Sequence, residues 1–230
     1  MKLACRNIRL QYPNSETDVL RDLTFEVEEP GFHALFGPSG VGKTSLARIL
    51  SGDIKTFSGE LITHGASPLF YTYNTERLPD WSSAMRHLEK ITPPDRKPLK
   101  DELVEIFGLS DVIDSRFSQL SLGQKNRVNL IRYLVQDFKA LIMDESLANV
   151  DEQTREKIIL TIKEIFPNRC FFYISHNVSE VSKVCRRILV IRGLHRTPQV
   201  VWVAGNDQMP GRSPERDALE KTMLEVMNAA

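Results

Sequence analysis

The chain has 230 residues, and its 30 lysine and arginine residues balance its 30 aspartate and glutamate residues. This length suits one large domain with a substantial hydrophobic core, and the balanced charge gives no reason to predict nucleic-acid binding. No apolar run approaches the about 20 residues of a membrane helix, and the amino terminus lacks a signal-peptide pattern. The three cysteines lack metal-ligand spacing, so we expect a soluble cytoplasmic protein with buried or idle thiols.

Apolar periodicity predicts the regular elements along the chain. Strands are predicted at 3–10, 22–27, 32–36, 59–62, 69–73, 140–143, 170–174, 187–191 and 199–203. Helices are predicted at 45–50, 81–90, 99–107, 123–136, 152–166 and 214–227, the last with an apolar face formed by Leu219, Met223, Leu224 and Met227. The turn-rich segment 12–15 and the proline-rich segment 92–98 are predicted to lack regular structure. Strands that alternate with helices predict an α/β fold with a mostly parallel sheet, interrupted by a helical insertion from about 74 to 136.

A glycine-rich stretch with the sequence GPSGVGKT lies between a predicted strand and a predicted helix. It fits the phosphate-binding pattern G-x-x-x-x-G-K-[S/T], in which backbone N–H groups and a helix start surround an anion. The predicted nucleotide-binding residues are Gly37, Pro38, Ser39, Gly40, Val41, Gly42, Lys43, Thr44 and Ser45. Lys43 would contact the β- and γ-phosphates, and the Thr44 hydroxyl would ligate Mg²⁺.

Two acids, Asp144 and Glu145, follow an apolar strand. The carboxyl ends of parallel strands face the ligand crevice, so these acids would lie beside the phosphate loop. Asp144 would hold Mg²⁺ opposite Thr44, and Glu145 would orient or deprotonate the attacking water. The alternative is an ordinary acidic turn after a strand.

The segment Leu120–Gln124 reads LSLGQ and continues as Lys125, Asn126 and Arg127. It resembles the LSGGQ signature of ABC-type ATPases, followed by the family's K-Q-R. The resemblance implies an ABC ATPase fold over residues 1–230: a P-loop core, an amino-terminal antiparallel sheet and a helical subdomain at about 74–136. It also implies that Ser121, Gly123 and Gln124 contact the γ-phosphate held by a partner subunit, so that two subunits enclose two ATP molecules. An ordinary capped helix is the alternative.

Three further positions match the family's pattern. Tyr12 stands where the family has the aromatic residue that stacks on adenine, although a lone tyrosine before proline is otherwise a turn residue. Asp151 occupies the aspartate position of the D-loop. His176, which follows an apolar strand, matches the switch histidine that contacts the γ-phosphate and helps to hold the water. Outside this set of motifs, a histidine at a strand end is usually incidental.

Two positions depart from the family's pattern. Leu122 replaces a glycine, and its Cβ would crowd the partner's phosphate. Asn74 replaces the Q-loop glutamine in a stretch that resembles nitrate, sulfonate and taurine importer ATPases. Asn74 is a predicted Mg²⁺ ligand with a side chain one methylene shorter, so we expect a slowed or partner-gated ATPase in which Asn74→Gln raises basal turnover.

The resemblance implies an ATP- and Mg²⁺-dependent ATPase that powers import of a small anionic or organic solute. Its expected partners are a second ABC subunit, identical or homologous, an integral-membrane permease that contacts residues 78–85, and in some systems an extracytoplasmic solute-binding protein. The chain would then lie on the cytoplasmic face of the membrane, held there by the permease. Two alternatives stay open: a soluble ABC switch without a permease, and a catalytically weak regulatory partner in a heterodimer.

Overall fold

The computed structural model describes residues 1–13, 15–74 and 76–230, so Asn14 of the predicted turn and Thr75 of the Q-loop stretch lie outside the described residues. The strands are β1 (Leu3–Gln11), β2 (Asp18–Val27), β3 (Gly31–Phe36), β4 (Ser58–Ile62), β5 (Leu69–Tyr73), β6 (Ala140–Asp144), β7 (Cys170–Ile174), β8 (Arg187–Ile191) and β9 (Val200–Ala204). The helices are α1 (Lys43–Leu50), α2 (Ala84–Ile91), α3 (Lys97–Ile106), α4 (Leu122–Leu134), α5 (Glu152–Ile165), α6 (Val178–Val184) and α7 (Arg216–Ala229).

The strands form two sheets. The larger sheet has the order β5-β6-β7-β3-β8-β9, parallel except for the last pair. The smaller sheet is antiparallel, with the order β2-β1-β4. The predicted parallel core with an amino-terminal antiparallel sheet is therefore confirmed.

Successive residues of the central strands enter two separate cores, because side chains alternate between the faces of a sheet. In β3, Phe32 and Ala34 pack into a core shared with α4 and α5, whereas Leu35 packs into a core shared with α1 and the smaller sheet. The helix α1 is thus enclosed between the two sheets. This packing fixes the start of α1 against the end of β3.

The helices α2, α3 and α4 lie within the predicted insertion, and Leu88, Phe107 and Phe117 are fully buried there. The prediction that segment 92–98 lacks regular structure is wrong in part: Pro94–Arg96 form a 3₁₀ turn, and α3 begins at Lys97 with a proline in its first turn. The first turn tolerates proline because its N–H groups have no partner within the helix. That the insertion is a separate subdomain stays a prediction.

Two further predictions about helices need correction. The short helix α6 was not predicted, because its seven residues give too little periodicity. On α7 the predicted apolar face is wrong in part: Leu224 and Met227 are 64% and 62% exposed, while Thr222 and Val226 are buried.

The three cysteines are buried free thiols, as predicted. Across 1–13, 15–74 and 76–230, the structure contains no helix long and apolar enough to cross a membrane.

Candidate nucleotide-binding and catalytic site

Three neighbouring strands, β6, β7 and β3, end at one edge of the larger sheet, beside a cavity of about 420 Å³. The predicted residues that line it are Tyr12, Ser39, Gly40, Gly42, Lys43, Thr44, Ser45, Asp144, Glu145 and His176. The carboxyl edge of a parallel sheet is where α/β folds bind ligands. A larger groove of about 540 Å³, between β2 and β9, contains none of the predicted site residues.

The phosphate loop curves sharply into the start of α1. Gly42 is the residue before the helix and has φ 105°, a left-handed conformation that favours glycine. A Cβ at Gly42 would lie 2.7 Å from Cδ2 of Leu20, which is fully buried. The positive φ disfavours any residue with a side chain, and the packing against Leu20 excludes one. Because Gly42 has no side chain, the start of α1 can approach a bound anion closely.

Lys43 is buried, and its ammonium donates hydrogen bonds to the carbonyl oxygens of Gly37 and Pro38, at 2.8 and 2.9 Å. Burial lowers the pKa of Lys43, and the carboxylates of Asp144 and Glu145 act in the opposite direction. Neutral carbonyls hold the amine in place but leave its charge available to a phosphate.

The Asp144 carboxylate receives two hydrogen bonds on Oδ2, from the Thr44 hydroxyl at 2.8 Å and the Tyr71 hydroxyl at 2.9 Å. Burial raises the pKa of Asp144, while these two hydrogen bonds act against the increase. Thr44 and Asp144 therefore meet as predicted. Tyr71 was not predicted as a site residue, because only the pairing of β5 with β6 places it beside Asp144.

Glu145 follows β6 with φ 50°, an uncommon backbone for glutamate that costs about 1 kcal/mol. Its N–H donates to the carbonyl of Ile174 at 3.1 Å, which holds it beside the end of β7. His176 Nε2 lies 2.6 Å from Glu145 Oε1, so the predicted base and the predicted switch histidine are in direct contact. A strained residue in a cavity with a polar partner is typical of a functional position.

Tyr12 lies at the mouth of the cavity, and its hydroxyl is 3.0 Å from the Ser45 hydroxyl. Its ring is partly exposed. This position, beside the first turn of α1, is compatible with the predicted stacking of the Tyr12 ring on adenine.

The signature residues lie outside this cavity. Ser121 caps α4: its hydroxyl accepts from Gln124 N at 3.2 Å, and Gln124 Oε1 accepts from Ser121 N at 2.8 Å. A Cβ on Gly123 would lie 2.2 Å from the carbonyl oxygen of Asn149, so the D-loop passes directly over the helix start. Asp151 caps α5, and the hydrogen bond from Thr154 N lowers its pKa.

The two departing residues occupy different environments. Leu122 is the first residue of α4 and is 41% exposed. Asn74 does not line the cavity, and its side-chain oxygen accepts hydrogen bonds from Asn126 at 2.9 Å and Asn149 at 3.4 Å. No role was predicted for Asn126 or Asn149, because their spacing along the chain carries no signal of this contact.

The site fits a nucleotide with Mg²⁺. The loop and Lys43 suit phosphate groups, and the Thr44 hydroxyl with the Asp144 carboxylate are the hard oxygen donors that Mg²⁺ prefers. A phosphate loop at the end of one parallel strand, β3, faces an acid at the end of another, β6, with β7 between the two strands. This arrangement is typical of P-loop nucleoside triphosphatases.

The sequence profile described as ABC transporter matches residues 20–148, which is more than half of the chain. The chain therefore belongs to the ABC transporter family. Membership confirms the predicted family and fold class, and it confirms an ATPase domain that binds ATP with Mg²⁺ as its partner ion.

Several curated relatives share 26–30% identity with the chain. The taurine import ATP-binding protein TauB of Roseobacter denitrificans is 28% identical over 200 residues, covering 80% of this chain and 75% of the relative. The aliphatic sulfonates import ATP-binding protein SsuB of Pseudomonas putida is 29% identical over 244 residues, covering 94% and 89%. The molybdenum import ATP-binding protein ModC of Saccharophagus degradans is 29% identical over 180 residues, and the chain spans only 50% of its length.

Among solved structures, a bacterial Atm1-family ABC exporter with ATP bound superposes with a TM-score of 0.74 at 20% identity. The match covers 99% of this chain and 41% of the exporter chain. At this identity the likeness supports the fold alone.

Proposed function

We propose that this chain is the ATP-hydrolysing subunit of a membrane importer for a small anionic or organic solute. The observation that carries the proposal is the convergence of Lys43, Thr44, Asp144, Glu145 and His176 on one cavity. Together these side chains supply a cation for phosphates, oxygen donors for a metal, and a carboxylate positioned by an imidazole.

Each side chain has a defined part in this proposal. The loop from Gly37 to Ser45 binds the phosphates, and Lys43 neutralises their charge. Thr44 and Asp144 would hold Mg²⁺, which supplies electrostatic stabilisation of the phosphoryl group. Glu145 accepts a proton from the attacking water. His176 fixes the orientation of the Glu145 carboxylate through the 2.6 Å contact between them.

A second ABC subunit, identical or homologous, would complete the site. Ser121, Gly123 and Gln124 do not line the cavity of their own chain. Their helix start would instead face a nucleotide on the partner, because free N–H groups at a helix start attract anions. Tyr12 would stack on adenine. Asp151, the D-loop residue that caps α5, would lie at the interface between the two subunits.

A permease is the proposed membrane partner. Trp81 is 83% exposed within the predicted contact segment 78–85. Beside it, Leu78, Asp80, Leu122 and Lys125 line a groove of about 380 Å³ between the end of the Q-loop and α4. An exposed aromatic side chain at a groove is typical of a protein contact. The complex would hold this chain on the cytoplasmic face of the membrane.

The proposed solute class rests on sequence resemblance and not on any residue of the site. The taurine and sulfonate import proteins align over 80% and 94% of this chain. We therefore propose a sulfonate-like or nitrate-like anion, or a related small organic solute, as cargo.

A catalytically weak partner in a heterodimer is a second candidate. One observation that favours it is that the amide oxygen of Asn74 accepts hydrogen bonds from Asn126 and Asn149. The other is that Leu122 is exposed at a position where the family's pattern has glycine. Turnover of the isolated protein, before and after a homologous subunit is added, separates this candidate from an active homodimer.

The test of the proposed function is Glu145→Gln. Glutamine keeps the size of the side chain but cannot act as the base, so we expect ATP turnover to fall by about 10²-fold or more while ATP still binds. Glu152→Gln, an exposed acid in the first turn of α5, is the matched control and should keep the parent rate. Hydrolysis by Glu145→Gln at the parent rate would contradict the assignment of the base.

A further inference from the structure

Three asparagines from separate parts of the chain meet in one polar contact, which we name the asparagine cluster (Asn74, Asn126 and Asn149). Asn74 follows β5, Asn126 is buried in the first half of α4, and Asn149 lies in the loop before α5. Asn74 Oδ1 accepts from Nδ2 of both Asn126, at 2.9 Å, and Asn149, at 3.4 Å. One amide oxygen thus connects the Q-loop with the signature helix and the D-loop.

This contact occupies the atom that was predicted to ligate Mg²⁺. A carbonyl oxygen has two acceptor positions, and the two donors fill both. The backbone N–H of Asn74 donates to the carbonyl of Asp144 at 3.1 Å, so the residue is fixed beside β6, and its side chain does not line the cavity. A metal contact would need to replace at least one of these hydrogen bonds.

The next polar contacts along α4 strengthen the connection. Asn129 Nδ2 donates to Glu76 at 2.9 Å, and the Tyr133 hydroxyl donates to the other oxygen of Glu76 at 2.8 Å. Arg132 forms an ion pair with the same carboxylate. Positions 126, 129 and 133 lie on one face of a helix, so the Q-loop is attached to α4 over nearly two turns.

The backbone of Asn149 also lies against α4, at its first turn. Its carbonyl oxygen passes over Gly123 so closely that a Cβ there would lie 2.2 Å away. The backbone of Asn149 therefore contacts α4 while its side chain contacts Asn74.

We propose that Asn126 and Asn149 are positioning residues that hold the Asn74 amide, which links the signature helix to the D-loop instead of ligating Mg²⁺. The link itself consists of contacts between side chains of this chain. Its consequence for Mg²⁺ rests on the proposed ATPase function.

The first test uses the nucleotide-free protein and hydrogen exchange. We expect Asn74→Ala to accelerate exchange in both 122–127 and 146–151 by about fivefold, the effect of about one net hydrogen bond. Asn126→Ala should accelerate exchange in the same two segments. If this buried substitution prevents folding, Asn149→Ala, at an exposed position, replaces it in the test. Asn74→Asp keeps an acceptor for both donors and should retain the parent exchange.

The double variant Asn74→Ala/Asn126→Ala sharpens this test. If the two residues act through one contact, its exchange matches that of either single variant. Additive effects, or unchanged exchange in the single variants, would overturn the proposed link.

The second test measures the Mg²⁺ concentration that half-saturates Mg²⁺-dependent ATP binding. Asn74→Ala should stay within about twofold of the parent, whereas Thr44→Ala, which removes a hydroxyl ligand, should need about tenfold more Mg²⁺. An equal rise in both variants would make Asn74 a metal ligand and overturn the proposal. If the parent bound no ATP with Mg²⁺, the proposed function would fail, while the exchange experiment would still decide the link.

Discussion

At the scale of single residues, the site combines groups that destabilise the folded chain. Glu145 has a left-handed backbone, and Asp144 is a buried acid whose charge is opposed by desolvation. Such costs are typical of functional positions, where chemistry rather than stability determines the side chain.

Asp144 provides a test of whether a site residue lowers the stability of the folded protein. Burial raises the pKa of Asp144 above its unfolded value, so the folded state binds the proton more tightly. The free energy of unfolding therefore falls as the pH rises through the window between the two pKa values, and the charged acid costs stability at neutral pH.

Asp144→Asn removes that charge and keeps an acceptor for the Thr44 and Tyr71 hydroxyls. We expect the Tm at pH 7.5 to rise by about 2–4 °C, while Mg²⁺-dependent turnover is lost. Calorimetry and an ATPase assay on the same preparation measure both effects. A lower Tm would show that the charge stabilises the site.

Several site residues could be predicted because each belongs to a short contiguous pattern. The loop with Lys43 and Thr44, and the two acids at the end of β6, are recognisable without knowledge of the fold. Tyr71 and Asn126 were missed, because their contacts with Asp144 and Asn74 depend on which strands and helices become neighbours. No spacing along the chain encodes those pairs.

At the scale of elements, the start of α4 is fixed by contact with the D-loop. Alanine in a helix is about 1 kcal/mol better than glycine, so an unhindered Gly123→Ala would stabilise the protein. Here the new Cβ would lie 2.2 Å from the Asn149 carbonyl oxygen. Whether Gly123→Ala raises or lowers the stability therefore shows whether the start of α4 contacts the D-loop.

We expect Gly123→Ala to lower the Tm by about 3–10 °C, as overpacking by about 1–3 kcal/mol predicts for a chain of this size. Leu122→Ala, at the exposed neighbouring position, is the control and should shift the Tm by less than about 2 °C. A higher Tm for Gly123→Ala would show that the two segments are not in fixed contact.

The strand β3 carries a titratable group inside the core. His33 is buried between Phe172 and Trp202, and its Nε2 lies 3.1 Å from the Glu29 carbonyl oxygen. Burial lowers the pKa of His33 from 6.5 to about 4. The unfolded state then binds more protons between these values, so stability present above pH 6.5 is lost as the pH falls towards 4.

We expect the free energy of unfolding to fall by about 2 kcal/mol between pH 7.5 and pH 5 through His33 alone. His33→Phe keeps a ring in the core and should remove this part of the decrease. Urea titrations of parent and variant at both pH values measure it. An equal decrease in both proteins would assign the acid sensitivity to other groups, such as His87, whose pKa burial also lowers.

Element prediction succeeded where periodicity was long and failed where it was short or ambiguous. The strands of the larger sheet are continuous apolar runs, and α5 has fourteen residues of helical spacing. The face of α7 was misjudged because Leu224 and Met227 suggest burial by residue type, whereas packing against α6 and β9 selects the face with Thr222 and Val226.

At the scale of the whole molecule, two regions are candidates for contact with partner chains. The signature residues lie away from their own cavity, and the side chain of Trp81 is 83% exposed. We propose a second ABC subunit as the partner of the first region and a permease as the partner of the second region. The assignment of Trp81 is the more decisive, because it separates a transporter from a soluble switch.

The most direct test is affinity purification of the tagged protein from detergent-solubilised host membranes, with co-purifying chains identified by mass. The parent should bring down a polytopic membrane protein in stoichiometric amount. Trp81→Glu should lose most of that protein while still binding ATP, because the charge cannot be buried in an apolar contact. A parent protein found only in the soluble fraction, alone or with soluble partners, would contradict the proposed role in a membrane transporter.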